Sequence, residues 1–325
     1  MVELCDVVSK HRGIFVVHMR NEADQLLESI DDVVTIGKKS GIPVHVSHFK
    51  VSGKNNWGKA NIAIESVIKA RSEGVDITFD QYPYTAGSTF LSSLLPTWVH
   101  DGGTALMLKR LREGDVRARI CSEMSDSRGA EMGWESVYIT SVKSDSNRRI
   151  EGRTIPEIAA ERGQTPIDTI IDLTLEEENA ATMVGFSMSE EDVRTIMQSP
   201  LQMICTDGIV LGKPHPRVYG SFPRVLGLYV REGVVRLEEA VRKMTSLPAQ
   251  RFGLTGRGLI RPGMFADITI FSPEAVFDKA TYSDPTQHPE GIEFVIVNGQ
   301  ITVKERAHTG SRAGKILRHM SPEKP

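Results

Sequence analysis

The chain has 325 residues, with 39 Lys and Arg against 42 Asp and Glu, a formal charge of −3. Hydrophobic residues make up 40% and charged residues 25%, which excludes disorder as the main state. The near-neutral balance argues against a dedicated nucleic-acid binder, and no apolar run approaches the ~18 residues of a membrane span.

Cys5, Cys121 and Cys205 are far apart and form no C-x-x-C, so no disulfide framework is expected. A reducing, cytoplasmic setting fits, and the N-terminus has neither the basic nor the apolar region of a signal peptide. Along the chain, a β-branched run predicts a strand over 13–18. Apolar residues at helical spacing predict a helix over 22–39. A strand over 42–50, a helix over 61–73 and a strand over 76–82 follow. This βαβαβ order with short connections implies a parallel sheet in an α/β fold.

From Thr85 to about Gly133 glycines and Pro96 interrupt the rhythm, and the stretch reads as an insertion over one face of the sheet. Residues 136–142, 181–186 and 201–207 are strand-like. Helical patterns cover 155–162, 166–177, 191–197 and 237–245. Beyond about Gly256, alternation over 259–271 and 292–303 changes the character of the chain. With the Asn298-Gly299 turn signal, it predicts a small all-β unit of ~70 residues.

His18, His48 and Asp207 each close a predicted parallel strand, and active sites of such barrels form at that end. By period two, His48 shares a face with Lys50 while His45 lies on the other. Two imidazoles could hold Zn²⁺, leaving Asp207 to take a proton from water. Each residue also has a plainer reading, as a polar strand terminus or a turn. Tyr82, Tyr84 and Ser88 could offer hydroxyls to a substrate, or the tyrosines could simply pack beneath their loop. Arg217, in a Pro-rich loop with His215, could clamp a carboxylate bidentately or lie exposed. Cys205 reads as a small core residue.

HMRNE at His18, VSHFK before Val51, DQYPYTA at Asp80, CTDG at Cys205 and HPRVYGSF at His215 resemble the N-acyl-D-amino-acid deacylases of the amidohydrolase superfamily. The GLIRPGMFADI and VNG segments extend the likeness to about Leu317. The resemblance implies a metal-dependent-hydrolase (β/α)₈ barrel with a small β-sandwich domain. It implies zinc on His18 and His48, Asp207 as general base, and Lys50, Tyr82, Ser88 and Arg217 holding the substrate. The insertion at about 85–133 corresponds to a lid.

The family's H-x-H and metal-bridging Cys have no counterpart here: the histidines stand at 11, 18, 45, 48, 100, 215, 288, 308 and 319. The expectation is therefore the C-terminal half of the barrel over 1–255, with the small β domain and tail over 256–325. The implied partners are a small N-acyl amino acid and either self-association or a complementing N-terminal chain, with no nucleic acid or membrane. The implied activity is zinc-dependent hydrolysis of N-acyl-D-amino acids. The alternatives are a cyclic-amide hydrolase of the dihydroorotase or hydantoinase kind, and a non-catalytic remnant or partner subunit.

Overall fold

The computed structural model describes residues 1–319, and the side chains at 125–132 and the last six residues of the expected β domain lie outside the description. Three short strands open the fold: β1 (Phe15–Val17), β2 (Val44–Val46) and β3 (Ile77–Gln81). Next come β4 (Ala86–Phe90), β5 (Val137–Ser141) and β6 (Thr182–Phe186). β7 (Gln202–Ile204) follows. β1, β2, β3 and β7 form one parallel sheet in that order, with Val16 beside His45 and His45 beside Thr78.

Helices Leu26–Ser40 and Ala60–Ser72 cover one face of this sheet. The first carries Glu28 in its first turn and Lys38 and Lys39 in its last, as the helix dipole favours, and ends at left-handed Gly41. Its Leu26, Ile30 and Val33 pack with Ala63 and Val67 of the second helix against Val44, Val46, Ile77 and Phe79. Full burial of such a side chain contributes about 1.5–3 kcal/mol. This core fixes which sheet face is left for chemistry: by alternation, His45, Thr78 and Asp80 point away from the helices.

The strand-like segments 136–142 and 181–186 do not join the parallel sheet. They form β5 and β6 of a separate antiparallel sheet with β4, in the order β4-β6-β5. Thus the expected insertion at about 85–133 is only part of what separates β3 from β7. Helices Ile155–Arg162 and Pro166–Glu176, opened by side-chain caps from Thr154 and Thr165, pack under this second sheet through Ile155, Ile158, Ile170 and Ile171.

β8 (Ile268–Phe271), β9 (Ile292–Val297), β10 (Gln300–Lys304) and β11 (Ala307–His308) make an antiparallel sheet in the order β11-β10-β9-β8. Asn298 and Gly299 both have positive φ and form its tight turn. The implied β-sandwich is represented by one layer, because a sandwich requires two stacked sheets and the described residues supply one here. The alternation over 259–271 yields a strand only from Ile268, because the Pro262-Gly263 turn breaks it.

Candidate metal and substrate site

The C-terminal ends of the parallel strands converge on a cavity of about 610 Å³. His18, His48, Lys50, Tyr82, Ser88, Asp207 and Arg217 all line it. Every residue that the resemblance implies for the site is therefore at one place.

His18 follows β1, and its Nδ1 lies 3.0 Å from Nε2 of His48. Burial lowers the His18 pKa; Glu22 opposes this, and His48 and Lys50 reinforce it. His48 sits in the turn after β2 with φ +41°. Its second nitrogen, Nδ1, lies 3.0 Å from Oε1 of Glu22 and 2.7 Å from Nζ of Lys50. The same Glu22 oxygen accepts from Lys50 at 2.6 Å. Burial works against ionising Glu22, but the Lys50 ammonium and the bond from His48 bring its carboxyl down to about 2.

This donor set fits a zinc ion. Two nitrogens on one tetrahedral zinc lie roughly 3.3 Å apart at the usual Zn–N distance, close to the observed separation. His48 turns Nε2 toward His18 while Nδ1 meets Glu22 and Lys50 on the other side of the ring, and side-chain contacts of this kind orient metal-bound imidazoles. Ligand-type atoms of His18, Glu22 and His48 lie within 4.8 Å of one another.

Asp207 lies beyond β7, at φ +46°, a conformation that Asp tolerates better than most residues. Its Oδ2 is 2.9 Å from Nη2 of Arg217. Arg217 does not lie in an open loop. It is the first residue of helix Arg217–Arg224, and only 1% of it is exposed. His215 explains the helix start, because its Nδ1 accepts the Arg217 N–H at 2.9 Å. Nη2 of Arg217 also donates to the Ser88 carbonyl at 3.2 Å, and the guanidinium lies 4.4 Å from the Tyr82 ring centroid. Among the described residues, Nε and Nη1 of Arg217 have no hydrogen-bond partner. Buried guanidinium donors without partners are rare, and the group lines the cavity, where its charge suits a carboxylate. Burial also pushes the Tyr82 phenol well above its ordinary pKa, so it stays a neutral hydroxyl.

Tyr84 and His215 take the plainer reading. Tyr84 packs edge-on against His215, and His215 Nε2 donates to the Ala86 carbonyl at 2.9 Å. Arg20 turns away from His18 to Asp32. Cys205 is half-buried and bonds to Asp80. Two residues were missed by the sequence reasoning, Glu22 and Asp80. Glu22 stands four residues after His18 in HMRNE, a spacing with no general metal signature. Asp80 resembles an ordinary strand residue.

Paired imidazoles with a carboxylate, all at the C-terminal ends of parallel strands, are the arrangement used by metal-dependent hydrolases. The chain belongs to the amidohydrolase family, whose model matches residues 13–303. It is similar to a D-aminoacylase of Alcaligenes xylosoxydans xylosoxydans, 35% identical over 319 residues, covering 98% of this chain and 57% of that protein. A solved D-aminoacylase structure, described for its binuclear metal centre, aligns with a TM-score of 0.80 at 34% identity, over 98% of this chain and 58% of that one. The N-acyl-D-glutamate deacylase of Bordetella bronchiseptica, complexed with zinc and a phosphonate inhibitor, aligns with a TM-score of 0.79 at 31% identity, again over 98% and 58%. The chain thus spans a little over half the length of these relatives.

Proposed function

We propose that the chain takes part in zinc-dependent hydrolysis of the amide bond of N-acyl-D-amino acids. The observation that carries this reading is the content of one cavity. Two facing imidazoles, an aspartate and a buried guanidinium with two unpartnered donors all line it. The named relatives, a D-aminoacylase and an N-acyl-D-glutamate deacylase, support the substrate class.

His18 and His48 hold the metal in this reading, and zinc supplies Lewis acidity toward the acyl carbonyl when bound. Glu22 and Lys50 hold the far side of the His48 ring and so fix the direction in which Nε2 points. Asp207 accepts a proton from the attacking water on a carboxylate oxygen and returns it to the leaving amine. The Arg217 guanidinium supplies the charge that faces the α-carboxylate, Lys50 adds a second cation, and the Tyr82 and Ser88 hydroxyls complete its orientation. Fixing the carboxylate, the acyl carbonyl and the α-hydrogen together selects one hand of the substrate.

In this reading residues 1–255 carry the site, with the lid beginning near residue 85, and 256–325 form the small β domain and tail. The free cysteines support a cytoplasmic setting. No described helix is long and apolar enough to cross a membrane. We infer a complementing polypeptide against β1, where Val16 and, on helix Val2–Lys10, Leu4 and Val7 are exposed. Self-association through the same face is the other way to cover it.

The test is Asp207→Asn. Asparagine tolerates the left-handed backbone at this position, so the fold is retained. Turnover of N-acetyl-D-amino acids should be abolished while zinc stays bound. Retained turnover would remove Asp207 from the mechanism, and equal hydrolysis of N-acetyl-L-amino acids or hydantoin would remove the proposed substrate class.

A further inference from the structure

The backbone at His48 is strained. A left-handed conformation is unfavourable for a residue with a Cβ, and His48 adopts it at φ +41°. Strain of this kind persists only where the surroundings hold it.

The turn has a definite geometric effect. Val44 and Val46 enter the core shared with the two covering helices. Unbroken alternation would send His48 the same way. Instead Phe49 enters that core, stacked on Phe79 with ring centroids 4.6 Å apart. The His48 ring is thereby released toward His18. Its place in the cavity comes from this break in the strand rather than from period-two alternation.

Asp80 holds this turn. Its Oδ1 accepts the His48 N–H at 2.6 Å, and its main-chain carbonyl accepts the Phe49 N–H at 2.8 Å. Its Oδ2 lies 2.8 Å from Nε2 of His45, whose Nδ1 lies 2.9 Å from Oγ1 of Thr78. With the carboxylate ionised, His45 carries its proton on Nε2, and Nδ1 accepts from the Thr78 hydroxyl. His45 is fully buried and edge-on to Phe252, with centroids 5.0 Å apart. Asp80, His45 and Thr78 do not line the cavity. Asp80 meets its lining through the His48 N–H and, on the other side, through Cys205 near Asp207.

We infer that Asp80, anchored by His45, is a positioning residue that holds the strained turn presenting the His48 imidazole to a metal. This rests on the reading of His18 and His48 as metal ligands, and the test separates the two. Cobalt(II) is titrated into the unsubstituted chain and into His48→Ala, Asp80→Ala, Asp80→Asn and His45→Phe. Affinity, the visible cobalt spectrum and the thermal midpoint are recorded for each.

The unsubstituted chain should bind cobalt and His48→Ala should not. Asp80→Ala should bind about 10–100-fold more weakly, as expected when a residue supporting a ligand is lost. Asp80→Asn should bind within about threefold of the unsubstituted chain. Its amide oxygen still accepts the His48 N–H, and its NH₂ faces His45 in the other tautomer. His45→Phe keeps the contact with Phe252 and loses both ring nitrogens. It should weaken cobalt about tenfold, and it serves as the test if Asp80→Ala does not fold.

If His48→Ala loses cobalt while folded Asp80→Ala and His45→Phe bind it like the unsubstituted chain, the positioning role is overturned and the metal reading stands. A lowered thermal midpoint with unchanged cobalt affinity overturns the positioning role in the same way. An Asp80→Asn variant as weak as Asp80→Ala overturns the hydrogen-bond account. An unsubstituted chain that binds no cobalt overturns the metal reading and this inference with it.

Discussion

Replacing Arg217 with lysine probes the two donors that the fold leaves unpartnered. Lysine keeps the positive charge beside Asp207, so the aspartate is not orphaned. It loses the planar guanidinium and the extra donors that go with it. A hydrogen bond to a charged partner is worth about 1.5–3 kcal/mol. Lysine can restore one such bond at best, so the expected loss is roughly 2–3 kcal/mol, or ~30–150-fold in Kd. The assay is calorimetric binding of an N-acetyl-D-amino acid and of its uncharged α-carboxamide to the metal-free protein, where turnover does not compete with binding. The acid should lose this factor, and the carboxamide should change less than about threefold because it has no charge to pair. An equal loss for both ligands, or none for the acid, would refute Arg217 as the carboxylate receptor.

Three further substitutions test the scaffold. Lys243 is buried with its Nζ donating to the carbonyls of Ser199 and Gln202, and burial lowers its ammonium to about 8. The folded state thus releases the proton more readily than the unfolded one. Stability should be lower below pH 8 and rise by roughly 3 kcal/mol as pH climbs to about 10.5. Lys243→Met should lack that rise in urea midpoints, and parallel profiles would count against it. Glu177 is buried and accepts from the N–H groups of Lys143 and Ser144, the Ser144 hydroxyl and Asn147. Burial opposes its ionisation, yet the Ser144 and Asn147 bonds hold its carboxyl below the ordinary value. Its contribution should be complete above about pH 4.5 and be lost as pH falls through the folded value. Glu177→Ala should cost about 2–4 kcal/mol at pH 7 and flatten the acid limb of the denaturation profile; an unchanged midpoint would contradict this. A Cβ on Gly227 would lie 2.3 Å from the Val276 carbonyl and 2.9 Å from Phe277 Cα. Because these are backbone atoms, Gly227→Ala should cost about 2–3 kcal/mol, read as a lower thermal midpoint; no change would contradict the packing at 276–277.

Much of the fold was legible in the pattern of apolar residues. The opening βαβαβ run is local, and each strand and helix carries its own periodicity. The partners of 136–142 and 181–186 were not legible, because alternation identifies a strand without naming its neighbour. Of the site, His18, His48 and Asp207 could be found because strand ends of a parallel sheet gather on one edge. Glu22 and Asp80 escaped because their importance lies in what they touch. Glu22 binds residues 26 and 28 positions away, and Asp80 binds residues 35 and 32 positions away. Arg217 was identified by type, but its burial depends on His215 starting a helix that the Pro-rich sequence obscures.

The wall of the cavity has a consequence for how the molecule assembles. Its central strand, β6, is the last of the three in the chain, and β4 and β5 each pair with it rather than with each other. Ala86 must meet Phe186, so the chain closes a loop of one hundred residues before that pairing yields any return. The parallel strands β1 to β3 need only short βαβ closures. Long-range closure is slow relative to local pairing. Strands β1 to β3 can therefore pair before the antiparallel sheet does, and the cavity is complete only when β7, Asp207 and Arg217 have followed residue 186. Ligand binding then reports the completion of folding, while the paired imidazoles mark an earlier stage.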